Sequence, residues 1–256
     1  MKEINFISRT TGTRLRGRFI QGNTQGGKSP LVVMLTGDGP KGSKSLSWTN
    51  IPPMLAEFGI SSFLFDFEGL GYSDGSREDL TVSKGIDNFR SAWEEILREE
   101  SIDTDNISFF ASSFGATVLL LCPDIANKAK SIGLKSPAAF LPDAYFKELG
   151  SERFDEWRDS GYHKYNGYNF SIFLDALQHN AFSSAKDITV PCLITQGGAD
   201  EVVPVQQTTY LYEILSSKDK ALVMFEGAGH GYSEGDAWNE MAVKFVSWFY
   251  KNMQKV

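Results

Sequence analysis

Short apolar runs recur along the chain, with polar or helix-periodic stretches between them. The six clearest runs are residues 30–36, 60–66, 106–112, 131–136, 190–196 and 221–226. Nearly continuous apolar runs of this length are typical of strands that are buried on both faces, as in a parallel sheet. Two stretches instead show the 3.6-residue spacing of an amphipathic helix. Their apolar positions are Val82, Ile86, Phe89, Trp93, Ile96 and Leu97, then Trp238, Met241, Phe245, Val246 and Phe249.

The order of these segments predicts the fold class. The opening stretches "INFIS" and "LRGRFIQG" have no helical pattern between them, which predicts an antiparallel hairpin at the edge of the sheet. The later strands alternate with helices, so we expect an α/β protein with a doubly wound, mostly parallel sheet. At 256 residues the chain is long enough for one large domain with a substantial core.

One segment interrupts this alternation. Residues 137–187 are rich in aromatic side chains and contain no strong strand pattern. Connections of this length usually carry function or have structure of their own. We therefore predict a helical cap at 137–187, over an α/β core formed by residues 1–136 and 188–256. The alternative is an ordinary pair of helices packed on the sheet.

Charge and composition exclude several classes of protein. The net charge of −7 disfavours a nucleic-acid partner, which would need clustered lysine and arginine. No apolar run approaches the roughly 20 residues of a membrane span, and the first residues do not resemble a signal peptide. We therefore expect a soluble, cytoplasmic protein. The two cysteines, Cys122 and Cys192, lie in apolar runs and predict buried thiols rather than a disulfide or a metal site.

The stretch "SFFASSFGATVLLL" at residues 108–121 places small and hydroxyl residues between a predicted strand and a predicted helix. A catalytic strand-to-helix turn requires a small residue two positions before and two positions after its nucleophile. Ser113 meets this requirement, with Ala111 before it and Gly115 after it. Ser112 in the same role would put phenylalanine at both crowded positions. Ser113 is therefore the predicted nucleophile, although serine and glycine also occur in plain connecting turns.

A serine hydroxyl needs a base that removes its proton and an acid that orients the base. Of three histidines, His163 and His179 lie in the predicted cap, whereas His230 lies in a glycine-rich loop after the last strand. Asp200 follows the strand at 190–196, with Glu201 as a rival. The chain order Ser113, Asp200, His230 is the order of α/β-hydrolase triads.

An oxyanion needs two backbone N–H donors, one of them from the residue after the nucleophile, which is Phe114 here. The loop "TGDGPKGS" after the strand at 30–36 places Asp38 as the second donor. A carboxylate at this position would oppose a developing anion unless its side chain points away.

The blocks "LVVMLTGDGP", "LFDFEGLGYSDG", "ASSFGA", "LITQGGADEVVP" and "EGAGHGYS" resemble the successive motifs of the α/β-hydrolase superfamily. The similarity extends over about residues 30–250 and is greatest to small bacterial serine esterases of the cinnamoyl/feruloyl esterase type. This resemblance implies the α/β-hydrolase fold, with a sheet of about eight strands and a cap inserted after the sixth strand. It also implies a Ser-Asp-His triad and no cofactor.

Other functional classes remain as alternatives. The loop "GDGPKGSKS" nearly matches a phosphate-binding loop, but Ser43 separates Gly42 from Lys44, so the required Gly-Lys-Ser/Thr order fails. The stretch "EGLGYSDG" lacks the helix that a dinucleotide site needs. A protein that keeps the fold and binds a ligand without turnover is a further alternative.

The chemistry that we expect is cleavage of a carboxylic ester through an acyl-enzyme on Ser113, with a small-molecule acyl substrate and no metal. An acyl thioesterase or acyltransferase would use the same residues. Cap aromatics would line the substrate pocket, and the candidates are Trp157, Tyr162, Tyr165 and Tyr168. We expect a monomer or a homodimer.

Overall fold

The computed structural model describes residues 1–24, 27–164 and 167–254. Its centre is an eight-stranded sheet. In chain order the strands are β1 (Lys2–Ile7), β2 (Arg14–Ile20), β3 (Ser29–Leu35), β4 (Ser61–Phe65), β5 (Ile102–Ser112), β6 (Ile132–Lys135), β7 (Tyr162–His163), β8 (Tyr168–Asn169), β9 (Cys192–Gly197) and β10 (Lys220–Phe225). β7 and β8 form a separate two-stranded hairpin, and the other eight strands form the main sheet.

The main sheet has the order β1-β2-β4-β3-β5-β6-β9-β10. β2 pairs antiparallel with β1 and β4, which confirms the hairpin predicted at the sheet edge. From β4 to β10 every neighbouring pair is parallel. The carboxyl ends of β3, β5, β6, β9 and β10 therefore lie at one edge, where α/β sheets gather their functional groups. This is the α/β-hydrolase fold.

Helices cover both faces of the sheet. They are α1 (Leu46–Glu57), α2 (Val82–Ile96), α3 (Phe114–Leu120), α4 (Pro123–Ala126), α5 (Leu141–Ser160), α6 (Ser171–Ala176), α7 (Ala181–Ala185), α8 (Val205–Ile214) and α9 (Ala237–Met253). Short 3₁₀ turns occur at Gly42–Lys44 and Arg77–Asp79. None of the helices in the described part of the chain combines the length and apolar character that crossing a bilayer demands.

The strands are apolar on both sides because each side faces a separate core. Along β3, Val33 and Leu35 pack in the core under α2 and α3, whereas Val32 and Met34 pack against α1 and α9. Successive side chains of a strand point to opposite faces, so a doubly covered strand has no polar face.

The segment at 137–187 follows β6, the sixth strand, and contains α5 to α7 and the β7–β8 hairpin. The helix α5 is broken at Gly150, whose φ of 69° and ψ of 170° are not helical. The hairpin is an addition to the helical segment that the sequence predicts, and its two strands have only two residues each. The aromatic residues of the segment pack on one another, as in the contacts of Trp157 with Tyr145, Phe154 and Phe170. The boundaries of a separate cap unit stay a prediction.

Candidate active site

The turn at Ser113 has a strained backbone. β5 ends at Ser112 and α3 begins at Phe114, which leaves Ser113 between them with φ 49° and ψ −116°. A positive φ is unusual for a residue with a side chain and costs roughly 1–3 kcal/mol, so the surroundings must hold it in place. The N–H of Ser113 donates to the carbonyl oxygen of Lys135 on the neighbouring strand at 3.1 Å. The turn thereby fixes the serine at the carboxyl edge of the sheet.

The small residues around Ser113 are required by close backbone contacts. A Cβ atom at Gly115 would lie 2.4 Å from the carbonyl oxygen of Thr36, so only glycine fits there without movement. Ala111, two residues before the serine, is completely buried. The spacing that selects Ser113 in the sequence therefore has a steric cause in the structure.

The structure brings Asp200 and His230 together. The Oδ2 atom of Asp200 lies 2.9 Å from Nδ1 of His230. Because the carboxylate can only accept, Nδ1 carries the proton and Nε2 is left as the basic nitrogen. The imidazole is therefore held in the tautomer that a general base requires.

Asp200 is 3% exposed and its carboxylate is fully hydrogen-bonded. Oδ1 accepts from the backbone N–H groups of Val202 and Val203 at 2.9 and 2.8 Å, and Oδ2 also accepts from Nε2 of Gln196 at 2.8 Å. Burial alone would raise the pKa of Asp200, but the hydrogen bond and charge of His230 and the two backbone donors outweigh burial and lower it. The carboxylate is therefore ionised at neutral pH.

Glu201, the rival acid, has a different position. Its Oε2 accepts from the backbone N–H of His230 at 3.1 Å and has no hydrogen bond to the imidazole ring. Glu201 therefore holds the loop that carries the histidine, while Asp200 contacts the ring itself.

Ser113 and His230 line one cavity of about 840 Å³. Across the residues that the structure describes, no hydrogen bond joins the serine hydroxyl to the imidazole. The two side chains share the space in which a substrate would lie.

The loop after β3 is held by Arg77 and by Tyr168 of the 137–187 segment. The carbonyl oxygen of Asp38 accepts from Nε of Arg77 at 3.1 Å and from the hydroxyl of Tyr168 at 2.7 Å. The guanidinium of Arg77 also lies over the ring of Tyr168, 4.0 Å from its centre. Asp38 lines the cavity, and the backbone N–H of Phe114 lies at the first turn of α3, where N–H groups have no partner within the helix.

The charge of Asp38 affects the pKa of two tyrosines in the 137–187 segment. Burial and then the charge of Asp38 raise the pKa of both Tyr145 and Tyr168 well above its usual value. The Asp38 side chain is therefore close to these tyrosines, on the side of the cavity that the 137–187 segment covers.

Several known proteins share this architecture. A family model described as "Serine aminopeptidase, S33" matches residues 158–234, a stretch that includes Asp200 and His230. A ferulic-acid-bound structure of Est1E from Butyrivibrio proteoclasticus superposes with a TM-score of 0.86 at 21% identity, over 98% of this chain and all of that chain. The chain has the α/β-hydrolase fold.

Other similar proteins extend the comparison. An uncharacterized protein of Escherichia coli strain K12, YfhR, is 25% identical to this chain over 242 residues, which are 92% of this chain and 77% of that protein. A monoacylglycerol lipase from Paleococcus ferrophilus has a TM-score of 0.71 at 19% identity, over 93% of this chain and 99% of that chain. These solved structures share the fold of this chain.

The predicted cap aromatics that the structure describes line two different cavities. Tyr168 lines the cavity of Ser113. Trp157 and Tyr162 instead line a second cavity of about 660 Å³, and the indole N–H of Trp157 donates to the backbone of Tyr168. Tyr165 lies outside the described residues. Of the three described candidates, Tyr168 is the one that lines the cavity of Ser113, and substrate binding by any of them stays a prediction.

Lys135 is a residue of the candidate site that sequence reasoning missed. It ends β6, lines the cavity and is 6% exposed. Its Nζ donates to the backbone carbonyl of His230 at 3.1 Å and lies 4.7 Å from the ring centre of Tyr232. The signal in the sequence is the charged residue at the end of the buried run "SIGLKS". Buried charges in clefts are candidates for function.

Replacing Lys135 by methionine should change how the free energy of unfolding of the protein depends on pH. Burial lowers the pKa of Lys135 to about 8, and the charge of Asp200 opposes this only in part. Between pH 8 and the unfolded value near 10.5, the unfolded chain binds more protons, so the wild-type free energy of unfolding rises with pH relative to the variant. Each tenfold change in proton affinity is worth about 1.4 kcal/mol, so the whole gain is about 3 kcal/mol.

Urea unfolding of both proteins at pH 7, 8, 9 and 10 would measure this difference. The other groups that face Nζ are His230, through its carbonyl oxygen, and Tyr232, whose pKa burial raises to about 12. Both groups are present in the wild type and in the variant, so the difference between the two proteins reports on Lys135. A constant difference between the two proteins from pH 7 to pH 10 would contradict the prediction.

Proposed function

We propose that this hydrolase cleaves a carboxylic ester through an acyl-enzyme on Ser113, with His230 as general base and Asp200 as the acid that orients it. The observation that carries the proposal is the bond of 2.9 Å between Asp200 and His230 beside a serine held at a strained turn in the same cavity. This combination of nucleophile, base and orienting acid is what acyl transfer requires.

The proposed reaction has two halves. Oγ of Ser113 attacks the ester carbonyl carbon while Nε2 of His230 takes the serine proton. The tetrahedral intermediate then breaks its bond to the alkoxide, which leaves as an alcohol after receiving that proton. Water next attacks the acyl-enzyme, gives its proton to the same nitrogen, and releases the acid as Ser113 recovers its proton.

Two backbone N–H groups are proposed to bind the oxyanion, those of Phe114 and Asp38. The N–H of Phe114 follows directly from the strained turn, since it belongs to the next residue. For Asp38 the support is a pair of hydrogen bonds from Arg77 and Tyr168 to its carbonyl oxygen. These bonds hold the residue at the cavity wall. Fixed donors need no reorganisation when charge develops, and this is the source of their catalytic effect.

Residues 137–187 are proposed to act as the cap of this site. Besides the Tyr168 hydroxyl on Asp38, the segment sends Nζ of Lys147 to the carbonyl oxygens of Asp200 and Val203 at 2.6 and 3.2 Å. The cap thus contacts both the loop after β3 and the loop after β9. A cap fixed in this way excludes water from the acyl group and shapes its pocket.

The experiment for this proposal combines substrates and a covalent probe. We expect the purified protein to hydrolyse p-nitrophenyl esters of graded chain length, and methyl ferulate belongs in the panel because a structurally similar protein binds ferulic acid. An acyl thioester and an aminoacyl p-nitroanilide test the thioesterase and aminopeptidase alternatives, the second because of the description of the matching family model.

A fluorophosphonate should add one label per chain, and mass spectrometry should locate it on Ser113. Ser112→Ala is the matched control, since Ser112 is the neighbouring hydroxyl in the same cavity and should leave the labelling unchanged. Turnover of the thioester alone would move the assignment to a thioesterase. No turnover and no label would favour a ligand-binding protein with the same fold.

A further inference from the structure

The cavity of Ser113 extends to both sides of the sheet edge. On one side its wall is formed by the cap segment and the loop after β3, including Asp38 and Glu148. On the other side it reaches the first turns of α1 and α9, where Nε1 of Trp238 donates to Oγ of Ser47 at 3.0 Å. We name this second side the α1–α9 lobe, and its lining includes Trp48, Lys135, Tyr232 and Trp238.

Lys135 points into the α1–α9 lobe. Two residues earlier on the same strand, a Cβ at Gly133 would meet Phe245 and Phe249 of α9. Side chains two apart on a strand share a face, so Lys135 also points toward the α9 side of the sheet. The contacts of its Nζ with the His230 carbonyl and the Tyr232 ring agree with this direction.

The ammonium of Lys135 has capacity for another acceptor. An ammonium carries three N–H donors, and one of these is used by the carbonyl of His230. Within the described ranges no carboxylate lies within 4.0 Å of this nitrogen, although the side chain is 6% exposed. The nearby carboxylate of Asp200 is already used by His230, Gln196 and two backbone donors. A buried charge without a paired counter-ion is costly, which gives an anionic ligand group a reason to bind there.

The charged groups that line the two sides of the cavity differ. On the cap side the acidic Asp38 and Glu148 lie with the cationic Arg77, whose guanidinium already contacts the Asp38 carbonyl and the Tyr168 ring. The α1–α9 lobe has Lys135 and aromatic walls, with no acidic residue among its described lining residues, so a ligand carboxylate meets there a cation without a competing acid. Phosphate groups usually require several donors or an arginine fork, and this lobe offers a single ammonium.

We propose that Lys135 binds a free carboxylate of the substrate, so that the enzyme prefers esters that also carry a carboxylate, such as half-esters of dicarboxylic acids. The inference rests on the proposed function, because Ser113 and His230 line the same cavity as Lys135 and would act on the ester group of the same molecule. The carboxylate would lie between the indole rings with its oxygen on Nζ.

Binding to the Ser113→Ala protein separates recognition from turnover. The probes are monomethyl adipate and dimethyl adipate, which differ in one carboxylate. Binding is measured by calorimetry or by tryptophan fluorescence, to which Trp48 and Trp238 contribute. We expect the half-ester to bind at least tenfold more tightly than the diester. Adding Lys135→Met should abolish this preference, whereas adding Lys41→Met, a change to an exposed lysine of the same cavity, should keep it.

Kinetics of the protein with Ser113 intact complete the test. Lys135→Met should raise KM for the half-ester at least tenfold and leave KM for the diester within twofold. Equal affinity for the two probes, or a preference that survives Lys135→Met, would overturn the proposal. A kcat that falls equally for both esters, with KM unchanged, would also overturn it, because Lys135 would then only position His230. Tight half-ester binding without any turnover by the intact protein would contradict the proposed function and leave the carboxylate site standing.

Discussion

Ser113→Ala is expected to lower kcat for the best ester substrate by about 10⁴-fold or more, with little change in KM. The variant keeps the cavity and the backbone donors, but it has no oxygen that can form the acyl-enzyme. Residual hydrolysis would come from binding and from the oxyanion donors alone. Steady-state kinetics measure the loss, and circular dichroism with thermal unfolding verifies that the variant is folded.

The double variant Ser113→Ala/His230→Ala tests whether the serine and the histidine act as one unit. Residues that act as one unit show strongly non-additive losses, so the double variant should be about as slow as either single variant. Additive losses in free energy would mean that the serine and the histidine act independently, and an active Ser113→Ala protein would exclude the acyl-enzyme altogether. Ser112→Ala provides the matched comparison, with activity close to that of the wild type.

The α/β fold was predictable because its signals are local. Each buried strand appears as an apolar run, and the boundaries differ from the structure by only a few residues, as at 131–136 against Ile132–Lys135. The position of the serine was also predictable, because the close approach of Gly115 to Thr36 restricts the residue type at a fixed distance along the chain.

The rest of the site depends on contacts between residues far apart in the sequence. The hydrogen bonds from Tyr168 to Asp38 and from Lys135 to His230 join positions 130 and 95 residues apart, and no local pattern reports them. The aromatic residues of the cap segment look alike in the sequence. Only the packing of α5 on the β7–β8 hairpin places Trp157 and Tyr162 at a second cavity and Tyr168 at the first.

Asp200 and Glu201 are adjacent acids that follow one strand, so no local pattern in the sequence distinguishes their roles. We expect Asp200→Asn to lower kcat by about 10³ to 10⁴-fold. An asparagine can present its amide N–H to the ring, which would favour the proton on Nε2 and remove the base that Ser113 needs. The lost negative charge would also destabilise the imidazolium that forms during the reaction.

Glu201→Gln is the matched control, because the same chemical change is made one residue away. Its side-chain oxygen can still accept from the backbone N–H of His230, so kcat should fall by less than about tenfold. Kinetics of the two variants from pH 5 to pH 9 would separate the roles. Since His230 and the backbone donors outweigh burial and keep the pKa of Asp200 low, its carboxylate remains charged over this whole range. The loss in Asp200→Asn relative to the wild type should therefore persist from pH 5 to pH 9, because the asparagine amide cannot ionise to replace that charge. A larger loss in Glu201→Gln would assign the acid to Glu201 instead.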